Sequence, residues 1–382
     1  MRWTYGVVAA MSALQISAAG AFQVLPIVSD VDRKISRIGA NPVLDRMGHW
    51  AVGHVIPFMK GPVHEAITLS ALDCPAEAGQ EMSCVTIDRV QAHRALLYGV
   101  RWPDDPPFRL NRASPPRIQG CDVDVTLRST SQPSCWIGLF KDAGKQAKLT
   151  AAVQRPAFGP GDYLLYRSHY GDLQFMHAMA AYDGEMAGQT FNRMKMWGQF
   201  LWNIATQQTP VSAFLRDLEI TDIGRYFPGD ITATNLFATG IVEVRKDLDK
   251  VAIGILLHMV QDSFAQAHAS RAVETGAYCP GTPYLMPGKI EHFHSYAQQA
   301  TARHDQGDTQ DALHRHTPTV SPNVVDTSRA FLHMWQQQKS WEAAEPLFDC
   351  VFRPSNPLAP AEAGPYQDPP KPHARHDLMP AP

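Results

Sequence analysis

The sequence has no Cys-x-x-Cys pair anywhere, so a thiolate-rich structural zinc site is not written into it. It also lacks any run of Lys and Arg long enough to form a polybasic patch. With a formal net charge of -3 the chain carries no general attraction for polyanions, and no stable nucleic-acid partner is expected. Beyond the first two dozen residues no apolar run reaches the roughly 18 to 20 residues that a membrane span requires, so no transmembrane segment is expected in the mature chain. Alternating, strand-like runs are scarce, and no repeat of roughly 20 to 50 residues is visible.

What is present starts with size and apolarity. The 382 residues suffice for one large domain or two ordinary ones, and an apolar content of 45% excludes a wholly disordered chain. Residues 1–21 read as a signal peptide: Arg2, an apolar stretch over residues 5–18, then Ala19, Gly20 and Ala21 as a small-x-small cleavage site. The alternative is a buried first helix. Six cysteines, an even set, suit three disulfides in an oxidising compartment. Proximity favours Cys74 with Cys84 and Cys121 with Cys135, leaving Cys279 for Cys350. A secreted or periplasmic location follows from these two signals.

Helical periodicity runs through residues 64–72, 87–100, 173–207, 244–271, 289–303 and 325–348. Residues 103–133, rich in Pro, Asp and Ser, read as an irregular insertion. Residues 353–382, dense in Pro, read as a disordered tail. The expected fold class is all-α: one helical domain over residues 22–352 with long irregular connections, any site being built from inward-facing side chains on several helices.

The sixteen histidines recur beside acids at helical spacing. In IGILLHMVQDSFAQAHASR, His258 and Asp262 share a helix face. His268 would lie about 15 Å farther along a straight helix than His258, so either the helix breaks or a second ion is needed. Apolar neighbours bury these groups and require their compensation. HEAIT opens a helix with His64; RWPDDP places Asp104 and Asp105 after one; RSHYGDLQFMHAMA offers His169 and His177. HFHSYAQQATARHDQGD pairs His294 with Gln298 and His304 with Asp308, each four apart. Any one of these can be a satisfied core histidine. Together, in a chain without available thiolates, they form a His and carboxylate set that suits zinc.

HEAIT, WPDD, SHYGD, HMVQDSFAQAH and FHSY, spread over residues 61–308, resemble in type and order the motifs of the zinc-dependent phospholipase C family, whose fold single-strand nucleases share. The details of HMVQDSFAQAH are closest to the Gram-negative bacterial branch. The resemblance implies a multi-helix phospholipase C/nuclease-type bundle binding two or three zinc ions. Asp104, His169 and His258 would hold the first, Asp262 would bridge to the ion on His64, and His268 would hold the remaining ion with His304 and Asp308. His294 is the alternative ligand or a supporting group. Asp104 or Asp105 would act as general base. The chain departs from the family at its start. The family's mature N-terminal Trp binds zinc about a dozen residues before the first His, whereas Phe22, the expected mature terminus here, lies far from His64. Trp50 has the spacing, and His54 is a substitute ligand. The implied substrate is a phospholipid such as phosphatidylcholine at a membrane or micelle surface, with Trp102, Tyr163, Tyr166 and Tyr170 as candidates to stack on its head group. A single-strand nuclease and a non-catalytic exported zinc-binding protein are the competing readings.

Overall fold

The computed structural model describes residues 62–106 and 133–366, apart from residues 75, 76, 78, 151, 152, 221, 240, 297, 298, 300–303, 305–308, 310, 311 and 314–320. The signal peptide, Phe22, Trp50, His54, the Cys121 to Cys135 pairing, Gln298 and Asp308 lie outside the described residues.

Among the described residues the chain is mostly helical with one small sheet, in agreement with the helical class expected. In order come α1 (Val63–Leu72), α2 (Ile87–Ala92), α3 (Arg94–Arg101), α4 (Pro133–Thr150), α5 (Leu164–Tyr170), α6 (Ala187–Ala205), the short α7 (Ile223–Tyr226) and α8 (Ala233–Ala238), and α9 (Leu248–Asp262). Strands β1 (Ala269–Arg271) and β2 (Ile290–Phe293) follow, then α10 (Val324–Gln336) and α11 (Trp341–Phe352).

Helix α9 is the central post. Every residue from Val251 to Asp262 is buried, as expected of a helix apolar on all sides. It packs against α3, α6 and α10. Its contact with α3 is backbone on backbone: a Cβ at Gly99 would lie 2.1 Å from the Val251 carbonyl oxygen, and one at Gly254 would lie 2.2 Å from that of Leu96. Only glycine permits this approach. Beside it, Trp102, Trp197, Phe200, Phe227 and Phe237 form a buried aromatic cluster.

Several long periodic stretches are broken where backbone geometry overrides periodicity. Residues 87–100 split at His93 into α2 and α3. Residues 173–207 contain a 3-10 turn, Gln174–His177, stopped by Ala178 at φ 52°, before α6 begins. Residues 325–348 divide between α10 and α11, with Gln338 at φ 51° between them. The helix expected over 289–303 is corrected at its start: Ile290–Phe293 is a strand, antiparallel to β1 with Ala269 opposite Phe293 and Ser270 opposite His292. The buried spacing of Ile290 and Phe293 mimics a helical i, i+3 pair, but the ladder takes the backbone. The tail is corrected as well. Residues 367–382 lie outside the described residues; residues 354–363 lie along the start of α6, where the Ala187 and Gly188 amides donate to the Ala359 and Pro357 carbonyls (2.9 and 2.8 Å), and lead into a 3-10 turn, Gly364–Tyr366. Ala359, Ala361 and Ala363 are buried there. Small side chains make the close docking possible, a feature hidden by the high Pro content.

Cys74 pairs with Cys84 and Cys279 with Cys350, as proximity suggested. The second bridge ties the β1–β2 connection to α11. No helix among the described residues is long and apolar enough to cross a membrane.

Candidate metal centre

Helix α9 ends at Asp262, and the reason lies nine residues on. Arg271 donates from Nε to the Ser263 carbonyl (2.9 Å), from Nη2 to the Ser263 hydroxyl (2.7 Å), and from Nη1 to the Gly288 and Val351 carbonyls (2.8 and 3.0 Å). One cation thus satisfies the C-termini of both α9 and α11, where the helix dipoles favour positive charge. The chain turns back, and His268 returns to within 3.6 Å of Asp262 (Nδ1 to Oδ2). Of the two arrangements open to the sequence, the helix breaks.

Asp262 becomes a hub. Its Oδ1 lies 3.4 Å from His64 Nε2, and its Oδ2 lies 3.0 Å from both His258 Nε2 and His177 Nδ1. Asp104 Oδ1, at the end of α3, is 3.9 Å from His258 Nε2 and from His177 Nδ1. Two sets emerge whose ligand atoms all lie within 4.8 Å of one another: His64, His258 and Asp262; and Asp104, His169 and His177. An ion with bonds of about 2 Å closes such a set with small side-chain shifts. All six residues are buried.

The hydrogen bonds decide which nitrogen each ring presents. A carbonyl oxygen only accepts, so the ring nitrogen facing one carries the proton. His258 Nδ1 donates to the Val100 carbonyl (2.7 Å), His169 Nδ1 to that of Leu165 (3.0 Å), and His268 Nδ1 to that of His177 (2.6 Å). His64 Nδ1 faces Gln261 Oε1 at 2.5 Å, and the Gln261 amide is held in turn by Thr68 Oγ1 at 2.9 Å. His304 Nδ1 bonds to Gln299 Oε1, whose amide nitrogen donates to the Ala267 and Ala363 carbonyls (2.7 and 3.0 Å). In all five rings Nε2 is left as the lone-pair nitrogen. Such anchoring of the far ring nitrogen is how metal-binding imidazoles are oriented.

Protonation agrees. Burial pushes His169 down to about 3, helped by its neighbour His177; burial likewise pushes His177 and His258 down to about 4. These rings are neutral at pH 7. Burial alone would raise Asp262, but the neighbouring rings, His258 and His268 first, together with the hydrogen bond from His177, outweigh it and hold the carboxylate well below its usual range. Lone pairs of neutral imidazoles, as at His258 Nε2 and Asp262 Oδ2, then face buried carboxylate oxygens. A cation between them turns that repulsion into coordination, and the donor set fits a divalent metal.

Supporting groups fix the frame. Arg101 Nε donates to Glu65 Oε1 at 2.5 Å, both side chains being buried. Glu65 adjoins His64 and Arg101 lies three residues before Asp104, so this pair sets the spacing of α1 and α3. Asp105, beside Asp104, is also buried.

Of the residues picked out in the sequence, His64, Asp104, His169, His258, Asp262 and His268 converge. The His304 ring lies 5.0 Å from that of His268. His294 does not join either set; it lines a separate cavity. His177 had been noticed beside His169 but given no place among the ligands. Its side chain is aimed by the 3-10 turn and the left-handed Ala178, neither of which the sequence pattern announces. Gln261 and Thr68 were missed altogether, although their i, i+3 and i, i+4 offsets from His258 and His64 were in plain sight. The head-group aromatics are corrected: Trp102, Tyr163 and Tyr166 are buried against Trp197, Phe237, Phe158 and each other, so their faces pack the core.

The fold and the site together define a helical protein with a buried His and Asp constellation able to hold metal ions. No protein-family model, curated protein or solved structure matches the chain.

Proposed function

We propose that the chain is a metal-dependent phosphodiesterase, and specifically a zinc-dependent phospholipase C that cleaves a phosphatidylcholine-like lipid into diacylglycerol and a phosphorylated head group. The observation that carries the first part is the convergence of lone-pair imidazole nitrogens on two buried carboxylates. The phospholipid part rests on the resemblance of HEAIT, WPDD, SHYGD and HMVQDSFAQAH to that family.

Divalent ions in adjacent positions lower the pKa of water and neutralise the charge that gathers on a phosphodiester as it is attacked. The chain's own residues supply the rest. His64, His258 and Asp262 hold one position and Asp104, His169 and His177 the other; His268 and His304 extend the site beyond Asp262. Asp104, within 3.9 Å of both His258 and His177, borders both positions. It or Asp105 accepts the proton of the attacking water.

The test is hydrolysis of phosphatidylcholine and of single-stranded DNA by the same preparation, with zinc and after chelation. Chelator-sensitive release of phosphocholine is expected. Turnover of the DNA alone would make the protein a nuclease, and cleavage of neither lipid, DNA nor a chromogenic phosphodiester would remove the catalytic reading.

A further inference from the structure

A cavity of about 640 Å³ lies between the β1–β2 ribbon, the start of α10 and the docked segment 354–366. That is within the roughly 300–1,000 Å³ of small-molecule sites. Much of its wall is apolar, with Phe264, Ala312, Leu313 and Val324 contributing. Into this wall is set His294, 3% exposed. Neither of its ring nitrogens makes a well-formed hydrogen bond within the described residues, although the backbone of Glu362 lies close enough to act on the ring.

The ring is held firmly. Gly364 backs it so closely that a Cβ there would lie 2.5 Å from His294 Cε1 and 2.6 Å from Nδ1. Its backbone is tied on both sides, the His294 amide donating to the His268 carbonyl (2.8 Å) and the Ala180 amide to the His294 carbonyl (3.0 Å). A buried imidazole fixed in place and left unbonded carries a desolvation penalty that a partner would relieve.

The charges around the cavity narrow the partner. Arg271 lines it, but its guanidinium is engaged by three carbonyls and a hydroxyl at the ends of α9 and α11. The remaining ionised side chains on the wall are Glu274 and Glu362, which repel an anion. The two ring nitrogens of His294, one a donor and one an acceptor in the neutral imidazole, suit a hydroxyl or carbonyl partner.

We propose that this cavity binds an uncharged, largely apolar molecule bearing a single hydroxyl or carbonyl group, of the medium-chain alcohol or aldehyde class, with that group hydrogen-bonded to His294. The site is independent of metal binding and of the phosphodiesterase reading.

Titration calorimetry of the intact protein with 1-octanol, octanoate and octyltrimethylammonium tests it. Saturable octanol binding at one site is expected, with octanoate binding about tenfold or more weakly, because Glu274 and Glu362 oppose it and burying its charge costs more than the hydroxyl's hydrogen bond returns, and with octyltrimethylammonium, which cannot hydrogen-bond His294, binding more weakly than octanol. His294→Leu should weaken octanol roughly fivefold, the worth of one neutral hydrogen bond, and Leu313→Trp, which fills the space, should abolish binding. Absence of saturable octanol binding to the wild type, equal or tighter binding of either ion, or octanol affinity unchanged in both variants would overturn the proposal. The wild-type series decides it even if a variant fails to fold.

Discussion

The two sets of residues able to hold a metal ion differ in what carries them. His64, His258 and Asp262 stand on regular helices, α1 and α9, with their rings braced by Gln261, Thr68 and the Val100 carbonyl. Asp104, His169 and His177 stand on helix ends and a 3-10 turn: just past α3, in the last turn of α5, and next to the left-handed Ala178. Helices give a site that periodicity reveals and packing holds rigid. Turns give one whose geometry depends on which neighbours the rest of the fold supplies. The helix-borne set should therefore tolerate disturbance of the loops, and the turn-borne set should be the more sensitive to tertiary change.

Asp262 is where this contrast breaks down, because its carboxylate faces His64 on one oxygen and His177 and His258 on the other. Asp262→Asn should have the largest effect of any single change, removing activity by about a thousandfold or more and lowering metal content together, as loss of a shared charged ligand implies. Assay of both quantities on one preparation checks this; full turnover with full metal content would contradict it.

Gln261→Leu separates the two sets. By releasing only the His64 ring it should weaken one metal position by about 10 to 100-fold and leave the other unchanged, read as a split in a zinc titration. Gln261→Glu keeps the acceptor and should restore the tight phase. Equal weakening of both phases, or of neither, would count against the role given to Gln261.

Gly254→Ala attacks the helix-borne side through packing. The new Cβ would meet the Leu96 carbonyl at 2.2 Å, forcing α3 and α9 apart at a cost of about 3 kcal/mol, measured by urea denaturation. A loss below about 1 kcal/mol would show that the crossing is looser than described.

Acid should act through the buried rings. In the metal-free protein His169, His177 and His258 have folded values of about 3, 4 and 4 against the ordinary 6.5. Between pH 6.5 and 4 the unfolded chain therefore binds more protons than the folded one, and stability falls as pH falls. Asp262, held low, adds a further loss only as pH falls from the ordinary carboxylate range toward its own depressed value. From pH 7 to 5 the loss should be about 2 kcal/mol per ring if the three titrate independently, and less if one accepts a proton early. A denaturation midpoint that is flat or rises toward pH 5 would contradict the neutral rings.

Much of the helix-borne set was legible because His258 and Asp262 lie four apart in an apolar run, and because His268 lay too far along for an unbroken helix. The break was one of two alternatives the spacing left open; its agent, Arg271 at two helix ends, was not legible, since the Gly288 and Val351 carbonyls are remote in sequence. The ligand role of His177, the strand at Ile290–Phe293 and the docking of residues 354–366 were hidden for the same reason: each depends on a partner segment that local pattern does not contain. His294 shows the converse. Its motif suggested a ligand, and the structure turns its ring into a separate cavity.

The most direct test of the central claim is a count of bound divalent metal per chain by elemental analysis after exhaustive dialysis, for the wild type and Asp262→Asn side by side. At least two ions per wild-type chain, with fewer in the variant, are expected. Less than one ion in a folded wild type reconstituted with zinc, or equal content in the two proteins, would contradict the account.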